Sequence, residues 1–288
     1  MKYKFIAAHQ GEFSVKGMCQ ALVVGKSGYY AWRDRAPSQR EQANQALVNQ
    51  IRQEHRASQR TYGSPRIHAA LRRGGARCGR NRVARLMRVH GIVARHPRKW
   101  RPVTTRRELG VIPAPNLLKQ DFSAPIPNRK WVGDITYIDT AEGWLYLAAI
   151  LDLFARPVVG WAMGTHMQAS LVQAAWEMAV QRRKPPKDGL LLHHSDPGSQ
   201  YTSHAFLGSL AAAHCQVSMS DVGNCYDNAA MESFFATLKR ECAAHQFASR
   251  AEARTAIFEY IEGWYNRQRL HSSLGYMSPL EYEQSHGH

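Results

Sequence analysis

The sequence has few cysteines and no long apolar run, and each shortage excludes a class of protein. Its five cysteines are an odd number at scattered spacings, with no C-x-x-C pair, so they predict neither a disulfide framework nor a zinc knuckle. The longest apolar stretch, LYLAAILDLF, is interrupted by Asp152 and is far shorter than the roughly 20 residues of a membrane span. The start, MKYKFIAAHQGEF, lacks the apolar core of a signal peptide. We therefore expect a cytoplasmic protein with no membrane partner.

Acidic residues are scarce in the first half of the chain. Residues 1–120 contain 25 Lys and Arg against 5 Asp and Glu, a net charge of +20, whereas residues 121–288 contain 13 against 17, a net charge of −4. A basic surface that spans a whole region is typical of phosphate binding, because each neutralised phosphate of a nucleic acid releases counterions. The charge therefore predicts DNA as a partner of the first half.

Two segments of the basic half predict helix-turn-helix units. In the first, residues 13–35, a helix holding Leu22 and Val23 reaches Gly25, and a second helix follows. A longer polar helix then begins at a capping box formed by Ser38 and Glu41.

The second unit, residues 61–92, has one helix that ends at Gly74-Gly75 and another that carries arginines on its open face. Helical hairpins are also common as plain packing units, but these arginines favour a DNA groove. The arginines that we expect to contact DNA are Arg66, Arg80, Arg82, Arg85 and Arg88.

A change of pattern divides the chain into three predicted regions. Residues 1–94 are a basic helical DNA-binding region, residues 95–129 are rich in proline and arginine and predict an interdomain linker, and residues 130–288 form a second domain. The second domain begins with three segments of strand pattern, which predict an antiparallel meander, and continues with alternating helices and strands. It is therefore predicted to be an α/β domain with a mixed sheet and flanking helices.

Three carboxylates of the second domain could converge. Asp134 lies in the middle of the first strand, where an unpaired charge is costly to bury. Asp196 follows the fourth strand, which neighbours the first in such a sheet, and Glu232 lies in a later helix. Because such a cluster repels itself unless cations occupy it, its natural ligand is Mg²⁺, with Mn²⁺ as a substitute. A pair of these ions can support an in-line phosphoryl displacement.

These segments resemble a known family. WVGDITYI, LLHHSDPGSQYTS and NCYDNAAMESFFATLKRE are similar to the DDE core of second-frame (OrfB-type) transposases of bacterial insertion sequences with two overlapping reading frames, which are relatives of retroviral integrases. The resemblance covers nearly the whole chain, because SGYYAW and YGSPRIHAALRRGGARCGRNRVARLMR resemble the amino-terminal helical modules and YNRQRLHSSLGYMSPLEYE the closing signature. Pro197 departs from the family, in which a polar or basic residue more often follows the second aspartate.

The resemblance implies a fold, an activity and a set of partners. The fold is a ribonuclease-H-like mixed sheet preceded by all-α helix-turn-helix modules. The activity is metal-dependent DNA strand cleavage and strand transfer, with Asp134, Asp196 and Glu232 as catalytic metal ligands. The implied partners are the terminal inverted repeats of the element, target DNA, further copies of the chain on DNA, and a first-frame product joined by a frameshift. The implied location is on the nucleoid of a bacterial cytoplasm.

Two other functions remain open from the residues alone. The chain could be a ribonuclease-H-type nuclease without strand transfer, or a DNA-binding regulator with an inactive catalytic domain. The two arginine-rich modules argue against the first, and the three retained carboxylates argue against the second.

Several neighbouring residues have smaller expected roles. Lys239, two helical turns beyond Glu232, is expected to bind a DNA phosphate, and Arg240, about 100° around the helix, is expected to matter less. Asp152 is expected to support the site rather than ligate a metal. His193 and His194 have no evident third ligand and are expected to pack or to contact DNA.

Overall fold

The computed structural model describes residues 1–95, 114–221 and 225–287. The basic part is all helical, as predicted. Its helices are α1 (Lys2–Ala8), α2 (Val15–Ala21), α3 (Lys26–Arg33), α4 (Gln39–Ala57), α5 (Ser64–Arg73) and α6 (Arg80–Val89). None of the helices in the described residues has both the length and the apolarity needed to cross a membrane.

The first helical module differs from the prediction at the end of α2. The helix ends at Ala21, and Val23 has a positive φ of 51° and is 84% exposed. The predicted helix through Val23 to Gly25 is therefore wrong, because a β-branched residue with a left-handed backbone ends the helix there. An additional helix, α1, contributes Ile6 to the small core of this module, where it joins Met18 and Tyr29.

The second helical module follows the sequence signals closely. Ser38 and Glu41 form the predicted capping box at the start of α4, and α5 ends at Gly74, after which Gly75 adopts a φ of 84°. Val83, Leu86 and Met87 of α6 are buried in a core shared with α4 and α5. This core also contains Leu270, which belongs to the carboxyl-terminal part of the chain.

The second part of the chain contains a five-stranded mixed sheet in the order β3-β2-β1-β4-β5. β1 pairs antiparallel with β2 and parallel with β4, so the first three strands form the predicted meander and the last two follow crossover helices. The strands are β1 (Lys130–Ile138), β2 (Leu145–Asp152), β3 (Val158–Gly164), β4 (Leu192–Ser195) and β5 (Gln216–Met219). This order and direction are those of the predicted ribonuclease-H-like fold.

Helices cover both faces of the sheet. Trp131 and Ile150 face one apolar core with α7 and α8, whereas Val132 and Leu151 face the other core with α9 and α10, as the alternation of strand side chains requires. The helices are α7 (Ala169–Arg183), α8 (His204–Ala212), α9 (Ala229–Glu241), α10 (Arg250–Phe258) and α11 (Pro279–His286). A 3-10 turn, Cys225–Asn228, precedes α9, and a π-helix, Glu259–Tyr265, continues α10.

The described end of the predicted linker packs against the sheet. Leu118 is buried in the α9 core, and the backbone N–H groups of Leu117 and Leu118 donate to the Ser218 hydroxyl of β5 at 2.9 and 3.3 Å. Residues 114–129 are therefore part of the α/β unit rather than a spacer. The rest of the predicted linker, 96–113, lies outside the described residues.

Candidate active site

The sheet register places two of the predicted carboxylates opposite each other on neighbouring strands. In the parallel pair of β1 and β4, Val132 is opposite His194. Continuing this register by two residues places Asp134 opposite Asp196, which directly follows β4. Neighbouring strands are about 4.8 Å apart, so the two backbones deliver their carboxylates to the same end of the sheet.

Helix α9 brings the third carboxylate to the same face. Asp134 shares its strand face with Val132 and Ile138, and these two residues form one core with Phe234 and Leu238 of α9. Glu232 lies in the first turn of α9, and its side chain is exposed at the helix surface. The packing of α9 on β1 therefore orients Glu232 toward the end of the sheet that carries the two aspartates.

The electrostatics link the three carboxylates. Burial raises the pKa of Asp134 to about 8, and the charges of Asp196 and Glu232 add to this shift, against a hydrogen bond of 2.7 Å from the Ile135 backbone N–H. Burial also raises the pKa of Glu232, with a contribution from Asp196. Each carboxylate thus makes ionisation of another less favourable, which is the charge arrangement that a cation relieves.

Asp196 is held by a residue that the sequence patterns did not indicate. The Ser220 hydroxyl, just past β5, donates to Asp196 Oδ1 at 2.9 Å. Burial raises the pKa of Asp196, and this hydrogen bond opposes the shift. The buried Tyr201 ring also lies near both aspartates, whose charges help to raise its own pKa. A serine after a short edge strand has no sequence signature, because its role depends on β5 lying beside β4.

The three carboxylates are suitable ligands for a hard cation, but they are not gathered around one point. In the described ranges 1–95, 114–221 and 225–287, no three Asp, Glu, His or Cys side chains are placed to hold one metal ion together. The candidate ligands are all carboxylate oxygens, which Mg²⁺ and Mn²⁺ prefer. The chemistry of the site therefore fits a divalent cation, and ligation requires the side chains to draw closer together.

Lys239 lies beside the carboxylates. Its ammonium is 4.4 Å from the centre of the Tyr137 ring on β1. Burial lowers the pKa of Lys239, and the negative charge of Asp134 opposes that shift. The predicted position of Lys239, on the same side of α9 as Glu232, therefore agrees with the structure.

A second residue missed from the sequence organises the start of α9. Asp227 is buried in the turn before α9, where it accepts hydrogen bonds of 3.0 Å from the side-chain amides of Asn116 and Gln120 and from the backbone of Asp221. These contacts tie the segment before β1 to the helix that carries Glu232. The only local signal is the position of Asp227 just ahead of a helix, which is common for aspartates without any such role.

The other candidate residues of the second domain have structural roles. Asp152 is fully buried at the end of β2, where it accepts from the backbone N–H groups of Asn128 and Phe154 at 2.8 and 3.0 Å. His193 is buried among aromatic rings, and burial lowers its pKa to about 3. His194 contacts the hydroxyls of two serines of the β5 edge, Ser218 and Ser220, at 2.8 and 3.1 Å.

Most of the predicted DNA-contacting arginines lie on the outer side of α6. Arg80, Arg85 and Arg88 are exposed. Arg82 is half-buried, and its Nε donates to Asn44 Oδ1 of α4 at 3.0 Å. A cavity of about 500 Å³ opens between α4 and α6, and Arg82 and Arg85 line it together with Arg40.

Arg66 has a different position from the other arginines. Its Nε donates to the Leu270 carbonyl oxygen at 2.9 Å, and its guanidinium carbon is 5.8 Å from the centre of the Tyr62 ring. Arg66 therefore joins α5 to the carboxyl-terminal segment and is separate from the α6 surface.

Comparison with known proteins agrees with this architecture. The integrase core domain family matches residues 124–225 and, in a second form, residues 213–279, and the HTH-like domain family matches residues 42–100. Transposase InsF for insertion sequence IS3A of Escherichia coli (strain K12) is 44% identical over 286 residues, which are 98% of each chain. The chain belongs to the OrfB-type DDE transposases of the IS3 family.

Two further matches are a protein whose activity is not defined and one distant solved structure. The insertion element IS600 uncharacterized 31 kDa protein of Shigella sonnei is 43% identical over 270 residues, 93% of this transposase and 98% of that protein. The simian T-cell lymphotropic virus intasome in complex with PP2A regulatory subunit B56 gamma aligns with a TM-score of 0.47 and 16% identity, covering 74% of this chain and 69% of that one.

Family membership confirms the predicted family, fold class and transposase function. The transposase is a DDE polynucleotidyl transferase with an integrase core and an HTH-like region, and DNA is its partner. Of the three functions open from the residues, the transposase is the one that the relatives support.

Proposed function

We propose that Asp134, Asp196 and Glu232 are the catalytic carboxylates of this transposase and bind Mg²⁺, or Mn²⁺ in its place, during DNA strand cleavage and strand transfer. The main observation behind the proposal is the register of β1 and β4. This register places Asp134 opposite Asp196 on the face of the sheet that α9 covers. When bound at such a site, a pair of divalent cations supplies Lewis acidity to the attacking and leaving oxygens of an in-line phosphoryl displacement.

The protein's own groups prepare this site in specific ways. The Ile135 N–H and the Ser220 hydroxyl fix one oxygen each of Asp134 and Asp196, so two ligands are oriented before any cation arrives. Glu232 is exposed on the first turn of α9 and completes the site by a side-chain movement. Lys239 holds a phosphate of the donor strand, because its ammonium places a positive charge beside the carboxylates, next to the Tyr137 ring of β1.

We propose that the outer surface of α6 is a DNA interface. Arg80, Arg85 and Arg88 are exposed there, and Arg40 of α4 and Arg82 extend the same basic surface into the groove between the two helices. Arginines at such a surface bind both phosphates and base edges.

The remaining assignments extend the same proposal. Residues 1–94 form the DNA-binding region, and the catalytic region begins by residue 114, with the connecting stretch between them. The chain acts as a homo-oligomer on chromosomal DNA in the cytoplasm, where it pairs the terminal inverted repeats of its element with target DNA. A frameshift fusion to the first-frame product supplies further DNA contacts.

The test compares carboxylate variants of the full chain. Asp134→Asn, Asp196→Asn and Glu232→Gln should each abolish cleavage and joining of a duplex that carries the element's end in Mg²⁺, while binding of that duplex stays within a few-fold of wild type. Calorimetric titration with Mn²⁺ should show weakened binding in the same three variants. Asp139→Asn is the matched control, because Asp139 is an exposed carboxylate just beyond β1.

The outcomes separate the alternatives. A variant that retains joining removes its residue from the site. Wild-type cleavage without joining identifies a nuclease without strand transfer, and DNA binding without cleavage identifies an inactive regulator.

A further inference from the structure

A second polar cavity, of about 190 Å³, lies about a third of a turn around α9 from Glu232. Its α9 wall includes Ser233, Thr237 and Arg240. The other walls come from α5, from the turn between β2 and β3, and from the segment that follows the π-helix. The cavity is therefore formed only where the HTH-like region, the sheet and the carboxyl-terminal segment meet.

Four arginines line this cavity, each from a different part of the chain. Arg66 comes from α5, Arg156 from the β2–β3 turn, Arg240 from α9, and Arg269 from the segment after the π-helix. Their charges act on one another, since Arg269 and Arg240 both help to lower the pKa of Arg66, although burial is the larger cause. Such a group of like charges is unfavourable unless anions balance it.

Only one of the four forms a salt bridge with a carboxylate of the described chain, although the charge of the same carboxylate, Glu241, also acts on Arg66. The Arg269 guanidinium forms two hydrogen bonds to the buried Glu241 carboxylate, of 2.9 and 2.8 Å, and no other salt bridge of the described residues involves these four arginines. Arg66 donates to a backbone carbonyl, and Arg240 donates to the Thr237 hydroxyl at 3.2 Å. Three of the four arginines, Arg66, Arg156 and Arg240, therefore have no salt bridge there, and the one nearby carboxylate is already bound by Arg269.

The polar groups between the arginines add hydrogen-bond donors rather than negative charge. Ser233 and Thr237 supply hydroxyls. His271 stays neutral, because burial and the nearby arginines lower its pKa to about 2, and it accepts from Arg269 at 3.4 Å. Positive charge and hydrogen-bonding groups thus line a volume that several water molecules could fill.

We propose that this cavity binds a phosphate group of the DNA backbone, as a site separate from both the catalytic carboxylates and the α6 surface. Guanidinium groups bind tetrahedral oxyanions through paired N–H donors, which suits several arginines that converge from different directions. A phosphate bound there links α5, through Arg66, to the helix that carries Glu232, through Arg240. The proposal of an oxyanion site does not depend on the proposed function, whereas the assignment of that oxyanion to DNA rests on it.

This proposal changes the expected role of Arg240. The sequence places it beside Lys239 and predicts a smaller effect on cleavage. The structure assigns the two side chains to different surroundings, Lys239 over Tyr137 and Arg240 in the basic cavity. Arg240 is therefore unsuitable as a neutral control for Lys239.

The first test uses inorganic phosphate and the full chain. Phosphate should raise the thermal unfolding midpoint of the wild-type protein above its value in chloride at matched ionic strength, because an anion that binds only the folded state stabilises it. The double variant Arg156→Gln/Arg240→Gln should lose most of that increase. Arg267→Gln, an exposed arginine of the same carboxyl-terminal segment, should keep it.

The behaviour in chloride distinguishes a binding role from a structural one. If the arginines exist to bind an anion, the double variant should unfold no earlier than wild type in chloride, because it has lost mutual repulsion. An earlier midpoint in chloride would overturn the proposal by making the arginines structural. An equal phosphate response in the wild type and the double variant, or none in the wild type, would overturn it as well.

The second test assigns the oxyanion to DNA. In a salt titration of short duplex DNA binding, the double variant should bind more weakly, and the slope of log K against log salt should be shallower by about 0.9 for one lost phosphate contact. Asp139→Asn, at an exposed carboxylate outside both sites, should leave both readouts unchanged. Both readouts measure binding rather than cleavage, so a failure of the catalytic proposal would not affect this test. Loss of the phosphate response with an unchanged DNA slope would overturn the assignment to DNA and identify a site for free phosphate.

Discussion

The Lys239 ammonium lies 4.4 Å from the centre of the Tyr137 ring, which connects the helix of Glu232 to the strand of Asp134. Lys239 is two turns from Glu232, roughly 10 Å along α9, and Tyr137 is three residues beyond Asp134. The contact therefore fixes the positive charge of Lys239 at a set distance from the carboxylates. Because the Tyr137 ring covers one side of the ammonium, a phosphate can approach Lys239 only from the other sides.

We expect Lys239→Met to reduce cleavage by about 10²-fold, because a displaced donor strand no longer presents its phosphate to the carboxylates. Binding of duplex DNA should fall by only a few-fold, and the folded state should remain intact. Single-turnover cleavage and fluorescence anisotropy measure the two effects. Lys187→Met is the matched control, because Lys187 is exposed and distant from α9 in sequence. Equal activity of the two variants would make Lys239 an ordinary surface charge.

Replacement of Arg82 and Arg85 by Gln should weaken DNA binding, and the loss should be largest at low salt. Each lost phosphate contact should make the slope of log K against log salt shallower by about 0.9. The experiment uses the full chain, because the core that contains α6 also contains Leu270. Arg182→Gln, on α7 and far from α6 in sequence, removes one charge where the test variant removes two, and it should leave the slope close to that of wild type. A salt slope that matches that of Arg182→Gln would exclude the α6 surface from binding.

Glu241→Gln should destabilise the protein by about 3–5 kcal/mol, because it leaves Arg269 buried without its counter-charge. Glu281→Gln is the comparison, since its partner Arg73 is also an arginine. The Arg269–Glu241 side chains are 3% and 1% exposed and those of Arg73–Glu281 are 44% and 40% exposed. The second substitution should therefore cost about 0–1 kcal/mol. Urea unfolding measures both, and equal costs would contradict the burial argument.

The same pair predicts a pH dependence. Burial alone would raise the pKa of Glu241, but the hydrogen bonds and charge of Arg269 outweigh it and lower the pKa below the ordinary value of 4.5. The folded state therefore binds fewer protons at this group than the unfolded state, and its contribution to stability is present above about pH 4.5 and is lost as the pH falls through the folded pKa. Glu241→Gln should remove this acid-side loss from the stability profile. If the stability of Glu241→Gln depended on pH in the same way as that of wild type, the lowered pKa of Glu241 would be contradicted.

Two glycines should respond to alanine with opposite signs. A Cβ at Gly160 of β3 would lie 2.7 Å from the Cβ of Ala179 and would also meet the Ala175 carbonyl oxygen of α7. Gly160→Ala should therefore cost about 1–3 kcal/mol in overpacking. Gly208 of α8 has nothing within 4 Å of the same position, so Gly208→Ala should stabilise by about 0.5–1 kcal/mol. In urea unfolding, a Gly160→Ala midpoint equal to or above that of wild type would show that α7 adjusts its distance from the sheet, and a lowered Gly208→Ala midpoint would contradict the second prediction.

The residues whose positions were predictable follow local periodicity. Alternation in the first strand places Asp134 on one face, and a spacing of seven residues keeps Lys239 on the side of Glu232. The apolar positions of α6 likewise indicate which of its arginines lie outside. These signals depend on neighbouring residues within one helix or strand, so they are readable without the tertiary structure.

The residues that were missed depend on distant contacts. Ser220 acts on Asp196 only because β5 pairs with β4, and Asp227 is defined by Asn116 and Gln120, more than 100 residues earlier. The basic cavity likewise needs Arg66 and Arg269 to meet, and no periodic pattern connects them. The early end of α2 has another cause, since the left-handed backbone at Val23 runs against the preference of a β-branched residue.

The contact between Tyr62 and Leu270 has a consequence during synthesis of the chain. The Tyr62 hydroxyl accepts from the Leu270 N–H at 2.7 Å, and 208 residues separate the two. At about 5–20 residues per second, a ribosome needs roughly 10–40 s to make the intervening chain. Throughout that interval, the face of α5 that will meet Leu270 has no partner from the carboxyl-terminal segment. The HTH-like region is thus translated early but completed late, so a nascent chain acquires its finished DNA-binding region only when its catalytic region is already made.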